Sequence, residues 1–172
     1  MKKTIAVLLL LAVVSFGAFA QGKPLMDKGD FAATVGLNFG WGFGVGGGAE
    51  MMLARWDIAD TIPLTFGAAV KAGVDLWPGF ELTIAGLGTA HFGLGTFSEL
   101  PEWLQKLDWH IGLGLGLGIS GGSGFGIGIA SGGGVSYHFS PSLAVIAESF
   151  YAAHFNRGYG HGLSLLGVQF KL

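Results

Sequence analysis

The sequence predicts an all-β fold: an eight-stranded, antiparallel, up-and-down transmembrane β-barrel with a short interfacial helix in one loop. Three observations predict it. Apolar residues recur at every second position over long stretches, as in residues 31–45. Charged residues make up only 12% of the 172-residue chain, about half the share a soluble domain carries. Past residue 20, no apolar run of about 20 residues is available to form a membrane helix. A barrel reconciles these facts, because its lipid-facing residues are spread over alternate positions of every strand.

The first element is read as an export signal. Lys2 and Lys3 precede the apolar residues 5–19, and Ala18-Phe19-Ala20 is a small-x-small cleavage site before Gln21. That is the three-part layout of a secretory signal peptide over residues 1–20, with residues 21–172 as the barrel domain. The chain has no Cys, hence no lipid-attachment thiol and no disulfide framework. Without Lys2 and Lys3, seven Lys and Arg face eleven Asp and Glu. With no basic patch, the composition argues against a nucleic-acid partner.

The strands follow in order. In residues 31–45 the odd positions are Phe31, Ala33, Val35, Leu37, Phe39, Trp41, Phe43 and Val45, and the even ones are small or polar. Successive strand side chains point to opposite faces, so one face is wholly apolar. Further strands are read at 49–58, 62–74, 80–94, 109–119, 125–139, 143–155 and 160–172. Strand two is ambiguous, since Met51, Met52, Leu53 and Trp56 make both faces apolar. Turn signals separate the strands at 46–48, 59–61, 75–79, 120–124, Ser140-Pro141-Ser142 and 156–160.

An even strand count places both termini in the periplasm. Aromatic residues then gather at the two interfaces. Trp41, Phe43, Trp77, Phe80, Phe125, Phe155 and Tyr159 fall at outer strand ends, and Phe31, Trp56, Phe92, Trp109, Tyr137, Phe139 and Phe170 at periplasmic ends. Closure of the barrel is required, because lipid offers no hydrogen-bond partner to an open edge. Residues 98–108 break the alternation. Leu100, Trp103, Leu104 and Leu107 are spaced i, i+3, i+4, i+7 behind Pro101, which predicts a short amphipathic helix at an interface. It falls on the periplasmic side, where turns are usually short, so the alternative is a miscounted strand.

The last residues are Leu165-Leu166-Gly167-Val168-Gln169-Phe170-Lys171-Leu172. Gly167, Phe170 and Leu172 resemble the terminal signal read by the outer-membrane assembly machinery. Leu165 departs from it, a polar residue being usual there, and the final residue is Leu rather than Phe. The segment from Gly134 to Glu148, with its Ser140-Pro141-Ser142 turn, is similar to a hairpin of the OmpA/OmpX/OmpW-like group of small outer-membrane barrels. The resemblance implies an outer-membrane location, and as partners membrane lipids, the barrel assembly machinery and periplasmic chaperones. That group includes structural barrels, adhesins and narrow channels, so it does not fix an activity.

Candidate chemistry lies on the inner face. Arg55, Lys71, Glu81, His91, His110, His138, Glu148 and His154 are expected to point inward, since a Lys or Arg facing lipid near the midplane costs about 2–4 kcal/mol. Arg55, Lys71, Glu81, His110, His138 and Glu148 form the expected lumenal polar network. Such a network either neutralises itself or lines a narrow pore. The Gly-x-Gly runs match nucleotide-loop patterns only formally: they sit inside strands and lack the Lys-Ser/Thr that follows a phosphate loop. No cofactor is assigned. The five His lack metal spacing along the chain, although a barrel can bring distant ones together. His138, Ser140 and Glu148 superficially match a lipid A deacylase pattern, but Ser140 falls in a periplasmic turn and His138 points inward. The expectation is therefore a non-enzymatic barrel, structural or a narrow passive pore for small solutes. A surface adhesin is the alternative, weakened by outer loops of only about three to five residues.

Overall fold

A computed structural model of the chain describes residues 24–58, 62–122, 124–155 and 160–172. Eight strands close a barrel in sequence order: β1 (Phe31–Asn38), β2 (Phe43–Ile58), β3 (Ile62–Trp77), β4 (Glu81–Gly93), β5 (Leu107–Ser120), β6 (Gly124–Ser140), β7 (Leu143–His154) and β8 (Gly160–Lys171). Each pairs antiparallel with its neighbour, and β1 closes on β8 from Ala32↔Lys171 to Asn38↔Leu165. Ladder pairing therefore runs around the whole circumference, as burial in lipid demands. Both ends of the strand series meet at one end of the barrel, where Leu172 N donates to Phe31 O. That end is called the terminal end here, and the other the far end. The signal-peptide residues, the turn at 59–61 and Tyr159 lie outside the described residues.

Burial alternates along the strands with a period of two. In β7 all of Ala144, Ile146, Glu148, Phe150, Ala152 and His154 are buried, and the intervening residues are exposed. The exposed set on β5 is Trp109, Ile111, Leu113, Leu115 and Ile119, with Ile111 at 69% exposure. An apolar belt of this extent is not a surface that water tolerates. Aromatic side chains flank it: Trp41, Phe43, Trp77, Phe80, Phe125 and Phe155 at the far end, and Phe31, Trp56, Trp109, Phe139 and Phe170 at the terminal end.

Several sequence expectations are corrected. The stretch 31–45 is not one strand. Its chain turns at residues 39–42 and re-enters as β2. The glycines at 46–48 are not a turn but pair in the β1–β2 ladder, Gly46 with Gly36 and Gly48 with Thr34. The reason is parity. Every β1–β2 pair joins two odd or two even residues, from Phe31↔Met51 to Asn38↔Gly44. The odd positions therefore stay on the outer face through the hairpin, and the alternation passes the turn without a break.

The ambiguity of strand two has a physical cause as well. The β2–β3 register shifts between Met52 and Ala54, so Leu53 has no partner opposite it. A bulge of this kind changes which numbers face inward. The turn predicted at 75–79 is shorter: Asp75 and Trp77 belong to β3, and β4 resumes at Glu81.

The connection from β4 to β5 does lie at the terminal end. It holds a 3₁₀ turn (Leu94–Thr96) and one helical turn, α1 (Glu102–Gln105). The longer helix expected over 98–108 is cut short because Leu107 and Asp108 already pair in β5, with Tyr137 and Gly93 respectively. The chain ahead of β1 folds into the same end. Met26 is fully buried with Ala32 and Met52, and Thr65 Oγ1 donates to Met26 O at 2.8 Å. Lys171 Nζ donates to Leu25 O (3.0 Å) and to Asp30 Oδ2 (2.9 Å), which straps this segment across the opening.

Candidate functional site: a buried polar network in the lumen

The even residues of β2, β5, β6 and β7 and the odd residues of β3, β4 and β8 face inward. At mid-barrel β3 contributes Lys71 and β7 contributes Glu148. Lys71 Nζ donates to Glu148 Oε2 at 3.0 Å, with side-chain exposures of 1% and 0%. Glycines make the room: a Cβ on Gly48 would sit 2.5 Å from Lys71 Cδ, and one on Gly134 would sit 2.6 Å from Glu148 Cβ. His110 Nε2 reaches the same Glu148 Oε2 at 3.1 Å. Three expected residues, Lys71, His110 and Glu148, are thus brought into one cluster.

The β4–β5 register then extends the network toward the terminal end. It sets His91 opposite His110, and their rings stack with centroids 5.1 Å apart. His91 Nδ1 bonds Asp108 Oδ2 at 2.6 Å and His91 Nε2 bonds Glu50 Oε1 at 2.9 Å. Thr89 Oγ1 also donates to Glu50. An ionised carboxylate can only accept, so these two bonds call for a proton on each nitrogen of His91.

Other expected members lie elsewhere. Arg55 sits opposite Thr65 past the bulge, but at the open rim, where it pairs with Asp57 (2.8 Å) and Asp27 (3.4 Å) instead of joining the buried cluster. Glu81 stands at the far end opposite Asp75. His138 is buried near the terminal end, with no hydrogen bond to the cluster. His154 is at the far end, its Nε2 2.9 Å from His161 Nδ1. Ser140 Oγ faces Ser142 Oγ at 3.5 Å, and no hydrogen bond joins Ser140, His138 and Glu148.

Sequence reasoning missed Glu50, Asp108, Asn38 and Asp75. Asn38 Nδ2 donates to Asp75 Oδ1 at 2.6 Å, and Trp41 N donates to Asp75 Oδ2 at 2.9 Å, which ties β1 and the turn after it to β3 at the far end. Glu50 was legible from the parity of Gly44, Gly46 and Gly48. Asp108 was hidden in the helix-like stretch, and Asp75 in a supposed turn.

No protein-family model and no curated protein matches the sequence. Solved structures do match its shape. The N-terminal β-barrel domain of Pseudomonas aeruginosa OprF aligns with a TM-score of 0.59 at 15% identity, over 84% of this chain and 98% of that one. Ail, the attachment invasion locus protein of Yersinia pestis, aligns with a TM-score of 0.52 at 14% identity, over 85% of this chain and all of that one (100%). At such identities the likeness extends to architecture: this chain has the fold of the small, eight-stranded outer-membrane β-barrels of the OmpA/OmpX-like group.

Proposed function

We propose that the protein is an integral barrel of a bacterial outer membrane, exported through residues 1–20, whose lumen is closed and whose role is structural rather than that of a solute pore. The carrying observation is the Lys71–Glu148 pair, which bridges β3 and β7 through the lumen at side-chain exposures of 1% and 0%. Water and ions passing along the axis would have to displace it. The strap over the terminal end and the Asn38–Asp75 pair at the far end support the same reading. The exposed apolar belt and its aromatic borders support contact with membrane lipids. The exposure of Phe170 and Leu172 at the end of the chain supports reading them, with Gly167, as a signal for the assembly machinery, to which periplasmic chaperones would carry the chain. The far-end connections at 39–42 and 78–80 are too short to build a binding surface, which weighs against an adhesin. Planar-bilayer recording tests the proposal. The purified barrel should give no discrete conductance steps. Reproducible single-channel steps from the wild-type chain would overturn the closed lumen.

A further inference from the structure

We propose that His91, Asp108 and His110 form a binding site for one divalent transition-metal ion, of the zinc(II) class, inside the terminal half of the lumen. Each residue offers one ligand atom, and these atoms all lie within 4.8 Å of one another. Two imidazoles and a carboxylate are a ligand set that zinc accepts, at about 2.0–2.2 Å per bond. Contraction around an ion would require shifts of the order of an ångström. Two adjacent strands hold all three residues: the register places His91 against His110 and Gly93 against Asp108. The ligands are therefore organised by the ladder and not by sequence spacing.

Two independent observations point to a ligand. The first is unmet bonding capacity. Asp108 Oδ1, His110 Nδ1 and Glu148 Oε1 are buried and have no hydrogen-bond partner among the described residues. Buried polar atoms normally have one, and three orphans in one cluster mark a place where something polar binds. The second is charge. Glu50, Asp108 and Glu148 face a single ammonium, Lys71, among the described residues of this cluster. With His91 protonated on both nitrogens the cluster keeps one negative charge, and a divalent ion that takes the place of one of those protons brings the sum to zero. Glu50, bonded to His91 Nε2, would then act as the carboxylate that orients a ligating imidazole. A Cβ on Gly93 would touch both Asp108 Oδ1 and Leu25 N at 3.2 Å, so the strapped segment 24–30 lies directly over the cluster. Loading is expected during folding, before the strap docks.

The test uses the full barrel, unfolded in urea with chelator, then refolded in detergent with cobalt(II) as a spectroscopic probe or zinc(II), and freed of excess metal. Folding is checked by heat-modifiable gel migration. One equivalent of metal per folded barrel is expected, with the intense visible absorption of four-coordinate cobalt. His110→Gln and Asp108→Asn should each lower affinity by at least about 100-fold, and Glu50→Gln by about 10–100-fold. His138→Gln, a lumenal histidine outside the cluster, should bind as wild type does. Folded wild-type barrel that retains no metal, or folded His110→Gln that retains it with unchanged spectrum, overturns the site. In that outcome the cluster is a proton-neutralised network only.

Discussion

Glycines on the two walls of this barrel do opposite things. On the inner wall of β5, a Cβ at Gly118 would lie 2.1 Å from His161 Cγ, and one at Gly112 would lie 3.0 Å from Phe150 Cε1. These two inner glycines make space that a side chain from another strand already fills. On the outer wall of β4, a Cβ at Gly86 would meet nothing within 4 Å, and one at Gly88 only Leu113 O at 3.7 Å. Phe66, Ile111 and Leu113 border a groove of about 410 Å³ at the outward-facing Gly88. The residue is the same on both walls, but the packing around it is not. A glycine-rich inner face therefore need not mean a wide lumen. Here it lets large polar and aromatic side chains share a narrow one.

The largest expected effect comes from the inner wall. Glu148→Ala leaves Lys71 buried without its carboxylate, and the loss should be about 3–5 kcal/mol of unfolding free energy. The midpoint of urea unfolding in lipid vesicles measures it. Replacing both partners, Lys71→Met with Glu148→Leu, should recover most of that loss, because two apolar side chains need no pairing. A double variant as unstable as the single one would mean that the pair is not what Glu148 contributes. Next in size is Gly118→Ala, where the imidazole of His161 must move. Overpacking of this kind costs about 1–3 kcal/mol. The matched change on the outer wall, Gly86→Ala, removes backbone freedom and meets no atom. It should be neutral or stabilising by up to about 0.5–1 kcal/mol. Equal destabilisation by the two alanines would erase the distinction between the walls.

The strands were legible because alternation is imposed by two solvents, lipid outside and a packed lumen inside. That same strength concealed the first hairpin. Because β1 and β2 pair residues of like parity, Phe39, Trp41 and Phe43 continue the pattern through a turn that the pattern cannot mark. Lys71, His110 and Glu148 could be assigned to the inner face from parity alone. Their meeting could not, because it depends on register, and register is a property of pairs of strands. His91 and His110 are nineteen positions apart in the chain yet directly opposite in the ladder. Asp108 and Asp75 were misread for a local reason: each lies beside turn-forming or helix-spaced residues, and neighbours dominate a local reading. The strap over the terminal end has no periodicity, so nothing in the sequence announces it.

The smallest effect separates a buried ion pair from an exposed one. At the end of α1, Lys106 Nζ donates to Glu102 Oε1 at 2.7 Å across one helical turn, with Glu102 84% exposed. The hydrogen bond and charge of Lys106 hold the Glu102 carboxyl below the usual carboxylate range, and Glu102 raises Lys106 in turn. A carboxyl whose folded value is depressed favours the folded turn above its unfolded value. That preference fades as pH falls through the folded value. Glu102→Gln should therefore differ from wild type near neutral pH and converge with it in acid. Amide hydrogen exchange in the 94–106 connection is the readout, since global unfolding is too coarse to register a solvated pair. Salt should remove the difference, because exposed charges are screened. It should leave the Glu148→Ala loss largely intact, because buried pairs are screened much less. If salt diminished both equally, the Lys71–Glu148 pair would be in contact with solution, and the lumen would have to be open.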